Sequence, residues 1–190
     1  MTNEEKILEG QIRECYGRVV YTHKTHEKCA DLLLERNAFI KWLQIILSAI
    51  IAGGVITMFF DFGKLVEYKK ISEGITAIIS TILLILNSYT KDNDFGTIAQ
   101  THRQAAKDIW LIREKYLSLL TDLHIGSSPI DDICKQRDRL LEELYSIYAS
   151  APSTNFRAYQ KAQKALKELE DMTFSDDEID KFLPKELKRS

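Results

Sequence analysis

His23, His26 and Cys29 follow one another at i, i+3 and i+6, and His102 stands far along the chain. Imidazole and thiolate are the donors of zinc chemistry, and four of them would make a closed site. Their spacing fits no standard zinc pattern, however. The competing reading makes His26 and His102 polar positions that fix register and assembly within a helical seam, with His23 and the thiol incidental. We follow that reading and assign no metal, no cofactor and no catalytic residue. A phosphate-cradling glycine loop, HExxH, GxSxG and a paired CxxC are all missing from the sequence. Three cysteines without regular spacing make no disulfide framework.

A second polar set stands where the chain otherwise has no polarity. On a helical wheel Glu73, Thr76, Ser80 and Asn87 fall within ~60° of one another. Gln44 and Ser48, following Lys41, form a shorter stripe in an earlier uncharged stretch. Polar groups in hydrocarbon are costly unless they find a partner or water. Such groups can hydrogen-bond across a helix contact, where small residues such as Ala49, Gly53 and Thr57 would allow close approach. They can also line an aqueous path once several copies assemble, since two helices alone cannot enclose a hole. A stripe running nearly the length of the span favours water access. Glu73, Thr76, Ser80, Asn87, Gln44 and Ser48 are therefore the pore-lining candidates, with Glu73 at the loop-side mouth and Ser80 near mid-span.

The elements that must position these residues follow from where charge is absent. The chain has 190 residues, 26 Lys and Arg against 28 Asp and Glu, and a net charge of -2. That balance excludes a nucleic-acid binder held by bulk charge. With 8 Gly and 3 Pro there is little punctuation for an all-β fold, so helices are favoured. Every charge avoids Trp42 to Phe60, which spans ~28 Å as a helix, and Gly74 to Thr90, which reaches ~25 Å, or ~30 Å from Ile71. Trp42, Phe59, Phe60 and Phe62 edge the first stretch, and Tyr68 and Tyr89 the second, as an interfacial belt would. The alternative, two fully buried core helices, fails because nothing else in the chain is apolar enough to surround them. A lipid bilayer is the expected surrounding. The charged residues 1–41 ahead of the first span, and the lack of a small-residue cleavage site, distinguish it from a signal peptide.

Asp61 to Lys70 is short enough to force an antiparallel hairpin with both termini on one side. Lys64, Lys69 and Lys70 in the loop balance Arg36, Lys41 and Lys91, so bulk and the lack of a secretory signal place both termini in the cytoplasm. The expected layout is an N-terminal cytoplasmic helix (1–41), a transmembrane hairpin (42–90, spans 42–60 and 71–90) and C-terminal cytoplasmic helices (91–190). Heptad seams flank the hairpin: Leu8, Ile12, Cys15, Val19, Thr22, His26, Cys29 and Leu33 before it. Ile98, His102, Ala105, Ile109, Ile112, Tyr116, Leu119 and Leu123 follow it, and the two predict an antiparallel coiled coil. A further helix is expected from a Ser128 cap with Pro129 in its first turn to about Ser150, with Ile130, Cys134, Arg137, Leu141, Leu144 and Tyr148 on one face. Another should run from Ser153 to about Met172 with Phe156, Tyr159, Leu166 and Leu169 as its apolar residues. Ser175 and Glu178 form a capping-box pattern for a last short helix. The fold class is all-α: an integral membrane helical hairpin continuing into coiled-coil helices with a further C-terminal helical segment.

This layout, with the stretches ERNAFIKWLQIILSAIIAGG and TKDNDFGTIAQTHRQAAKDIWLIREKYLSLL, resembles the SLATT families over roughly residues 10 to 170. The resemblance implies a two-span effector found beside nucleotide-synthesising or nucleotide-sensing partners in bacterial anti-phage and conflict systems. It implies a homo-oligomer that opens the inner membrane and kills or arrests the infected cell, with no enzymatic residue and no direct nucleic-acid binding. Arg36, Lys41 and Ala99 to Trp110, with His102, would be the positions to test first. The alternative expectation is a non-conducting two-span anchor or scaffold whose coiled coil recruits a cytoplasmic partner.

Overall fold

The computed structural model describes residues 2–59, 66–185 and 188, the side chains of residues 57–59 and 66–70 excepted. The belt residues Phe59, Phe60, Phe62 and Tyr68, the loop lysines Lys64, Lys69 and Lys70, and Thr57 thus lie outside the described residues. Of the described residues 87% are helical, and no strand occurs among them. Its elements are α1 (Asn3–Phe59), α2 (Val66–Asp92), α3 (Phe95–Ile125), α4 (Ile130–Ser150), α5 (Phe156–Lys167) and α6 (Asp176–Phe182). They form two compact bodies, one of residues 1–29 with 101–190 and the other of residues 30–100. The divisions fall inside α1 and inside α3.

The first body is held by a three-helix core. Leu8, Ile12, Cys15 and Val19 of α1 meet Ile109, Ile112, Tyr116, Leu119 and Leu123 of α3, and Ile133, Leu140 and Leu144 of α4. Burying each large aliphatic side chain is worth about 2 kcal/mol, so these contacts and not helix propensity hold the helices together. Gly126 ends α3 in the left-handed conformation (φ 63°), which only glycine adopts without cost.

The expected face of α4 is shifted. Ile133, Leu140 and Leu144 are buried, whereas Leu141 and Tyr148 are each about two-fifths exposed. This helix carries aliphatic residues on two sides, and contact with α1 and α3 selects between them. Ser128 does not cap it: Pro129 holds the N-cap position with no side-chain cap bond, and its carbonyl accepts from the amides of Asp132 and Ile133. Helix α5 is shorter than expected, begins after an Asn155 cap, and buries Ala158, Ala162 and Ala165 while leaving Phe156 and Leu169 exposed. Small side chains let α5 lie close, and the larger ones then have no room beneath it. Ser175 and Glu178 form a complete capping box on α6.

The second body pairs the later part of α1 with α2. Gln44 meets Asn87, and Gly54 meets Thr76, so one helix number rises as the other falls and the pair is antiparallel. In the most apolar 18-residue windows of the two spans only 6% and 0% of residues are buried. Ile45, Ile56, Ile78, Leu84 and Ile85 are all more than half exposed. A two-helix body with apolar residues on its outside is stable only where hydrocarbon replaces water.

Candidate functional site

The polar stripes of the two spans meet along one seam. Gln44 donates its amide N–H to Asn87 Oδ1 at 2.8 Å and to Thr90 Oγ1 at 3.3 Å. Thr90 also donates to the Leu86 carbonyl at 3.1 Å. The remaining hydroxyls bond within their own helices. Ser48 donates to the Gln44 carbonyl at 2.7 Å, Thr76 to Ser72 at 2.8 Å and Ser80 to Thr76 at 2.8 Å. Five candidates, Gln44, Ser48, Thr76, Ser80 and Asn87, therefore have a hydrogen bond inside one hairpin, which offsets the cost of polarity in lipid. Glu73 is exposed near the start of the span.

Thr76 is the one span residue on this stripe that is buried, and the reason is Gly54. A Cβ on Gly54 would overlap Thr76 Oγ1 and would lie 3.5 Å from Thr76 Cβ. The close approach thus occurs at Gly54 and not at Gly53, whose missing Cβ faces open space. Thr90 and Gly54 were not recognisable from composition alone. Pairing Gln44 with Asn87 in an antiparallel hairpin would have set Gly54 opposite residue 77, one position from its partner.

At the polar end of this body, Arg36 donates to the Tyr89 hydroxyl at 2.7 Å. Its guanidinium lies 4.5 Å from the Phe95 ring centroid and 5.9 Å from that of Tyr89. Cation–π contact and hydrogen bond together anchor α1 to the α2–α3 junction. Asp94 caps α3 there, accepting from Thr97 Oγ1 at 2.6 Å and Thr97 N at 3.0 Å. These bonds hold its carboxyl below the usual range, with the Lys41 charge adding a smaller push.

The first body carries a second polar arrangement. His26 Nδ1 and His102 Nδ1 lie 3.0 Å apart, and both rings are buried. One nitrogen must donate and the other accept, so at least one of the two rings must be neutral, and burial disfavours charging either. Burial, then the neighbouring His102 and His23, lower the His26 pKa to about 4, and burial lowers that of His102. The possible metal donors go to separate partners. His23 Nδ1 meets the Ala106 carbonyl at 2.9 Å, and Asn155 Nδ2 lies 3.8 Å from Cys29 Sγ. Among the described residues no group of three or more His, Cys, Asp or Glu side chains is placed to hold a metal ion. His26 also forms part of the floor of an open groove of about 820 Å³ whose walls include Tyr21, Tyr148 and Tyr159, with Glu14 and Arg18 at its edge.

A helical hairpin with an apolar outside and a separate helical body is the architecture of a two-span membrane domain. The sequence profile of SMODS and SLOG-associating 2TM effector domain family 4 matches residues 8–178. The chain belongs to this family. It is accordingly a membrane protein and a membrane effector domain of conflict systems. Neither a curated protein nor a solved structure matches this effector domain. Within the domain, the matched residues include the whole seam, the His26–His102 pair and the groove.

Proposed function

We propose that this effector oligomerises in the bacterial inner membrane and permeabilises it, killing or arresting the cell in an anti-phage response. Both termini lie in the cytoplasm. The trigger is a nucleotide signal, received by this assembly or by a nucleotide-synthesising or nucleotide-sensing partner. The protein performs no enzymatic step, needs no cofactor and does not bind nucleic acid directly. The observation that carries this reading is the seam: Gln44 of one otherwise apolar helix is closed on Asn87 and Thr90 of the other, and Thr76 and Ser80 continue the polar stripe of α2 with bonds inside their own helix. Such a line is a resting state. When copies associate and the two helices part, Gln44 and Asn87 exchange each other for water and face a common path with Glu73 at its mouth, while the Ser80 hydroxyl keeps its bond to the Thr76 carbonyl within α2. The tyrosine-walled groove of the first body is the surface to which a receiving role would fall, its volume lying in the range of ligand sites although it is open along one side.

The same hydrogen bonds also favour a second reading, a non-conducting anchor, because a hairpin that satisfies its own polar groups needs no water. Release of an entrapped dye from liposomes carrying the full chain separates the two. The effector reading expects leakage in the presence of the native trigger. It also expects that leakage to vanish when residues 42–60 and 71–90 are replaced by unrelated apolar helices. Intact vesicles with the trigger present, or full activity of the replaced-span chain, would establish the anchor.

A further inference from the structure

Where the two spans end, at the pole bearing Trp42 and Thr90, the second body encloses a polar cavity of about 230 Å³. Its walls include Asn37, Lys41 and Gln44 from α1, and Asn93, Asp94 and Gly96 from the α2–α3 junction. Trp42 (68% exposed), Phe39 (70%) and Tyr89 (41%) stand close to these residues in sequence. Exposed aromatic residues at the end of an apolar span mark the depth of the lipid headgroups. The cavity therefore opens in the layer where phosphates and amines are found, and not in bulk water or hydrocarbon.

Its lining carries one charge of each sign. Lys41 supplies a cation and Asp94 an anion, and the remaining polar walls are the amides of Asn37, Gln44 and Asn93 with the Thr90 hydroxyl. Asp94 keeps its capping bonds to Thr97, yet a carboxylate has about four acceptor sites, so capacity remains for a further donor. Gly96 keeps the space open. A Cβ there would sit 3.2 Å from Asp94 Oδ1 and 3.6 Å from Asn37 Nδ2, between the two groups that line this side. At roughly 30 Å³ per water-sized group, the cavity admits about eight non-hydrogen atoms, the size of a phosphoethanolamine.

We propose that this cavity binds the zwitterionic headgroup of phosphatidylethanolamine, the phosphate on Lys41 and the primary ammonium on Asp94 with the surrounding amide oxygens. Choline differs by three methyl groups: it overfills the space and has no N–H to donate. Phosphatidylglycerol lacks the cation that Asp94 requires. The site is independent of whether the hairpin conducts, and needs only the membrane placement of the family.

The test uses the full chain reconstituted in nanodiscs of phosphatidylethanolamine, phosphatidylcholine and phosphatidylglycerol in equal parts. The protein is then extracted in mild detergent, and retained lipid is counted by mass spectrometry. Phosphatidylethanolamine should be retained at about one molecule per chain and be enriched roughly tenfold over phosphatidylcholine, as expected for a charge-assisted hydrogen bond. Gly96→Ala should abolish the enrichment by filling the space, and alanine favours the first turn of α3. Asp94→Asn keeps the cap and should shift retention towards phosphatidylglycerol. Circular dichroism of each variant confirms the helices. Retention that mirrors the bulk mixture, enrichment of phosphatidylglycerol by the parent chain, or enrichment unchanged in both folded variants would overturn the site. Retention of free phosphoethanolamine by the extracted chain that added phosphatidylethanolamine fails to displace would assign the cavity to the soluble compound and refute a lipid ligand.

Discussion

Gly54→Ala tests the resting seam directly. The added Cβ overlaps Thr76 Oγ1, and Thr76 cannot simply turn away, because its hydroxyl bonds the Ser72 carbonyl at 2.8 Å. Either that bond breaks or the helices separate. Inserting one carbon into a filled contact costs about 1–3 kcal/mol. If the closed hairpin is the non-leaking state, its ratio to the open state should fall about 5- to 150-fold, and dye release without trigger should rise in proportion. The assay is the initial rate of release from liposomes at matched protein content. Thr76→Ala in the same chain removes the overlapping oxygen and leaves Thr76 Cβ at 3.5 Å, an ordinary contact, so the double variant should return near the parental rate. Thr76→Ala alone should also stay near it. A Gly54→Ala chain that inserts and leaks no more than the parent would refute the gating role of the seam. So would a double variant as leaky as the single.

Two further outcomes concern the first body. The neutral His26–His102 pair makes stability pH-dependent: an unfolded His26 titrates near 6.5 and the folded one near 4. Between those values the unfolded chain binds the extra proton, so stability is whole above about pH 6.5 and falls as pH drops towards 4, by up to roughly 3 kcal/mol. Melting the protein in detergent across that range should show this fall. His26→Gln should reduce it to what the burial of His102 leaves, and a flat parental profile would mean that the rings are not held neutral. Tyr116 is fully buried, and its hydroxyl has only the weakly hydrogen-bonding Cys15 thiol beside it and no oxygen or nitrogen partner among the described residues. Tyr116→Phe should leave the melting temperature unchanged or raise it by the equivalent of about 1 kcal/mol. A clear loss of stability would reveal a partner for the hydroxyl.

What could be read from the sequence is what a bilayer imposes. Two uncharged stretches of span length, an intervening loop and aromatic edges leave few alternatives, because lipid forbids unpaired backbone and charge over a known thickness. The heptad seam of α1 and α3 was also legible, with one slip. Ile98 is 38% exposed, and Phe95 and Ala99 are buried in its place. In α4 and α5 the pattern did not decide the face. Leu140 and Leu141 are equivalent by hydropathy, and the alanines of α5 carry little signal until a neighbour comes close. The same applies to the seam: Gln44 and Asn87 are visible as polar residues in apolar runs, but only the register of the hairpin makes them partners.

That register also limits how the hairpin can move. If α2 slid along α1 by one helical turn so that Gln44 advanced towards mid-span, its amide would lie level with Leu83 instead of Asn87, with no oxygen in reach. The amide cluster thus acts as a detent. Moving the pair in that direction strands a polar amide among leucines at the edge of the hydrocarbon, so the register is held by the cost of an unpaired group as well as by packing.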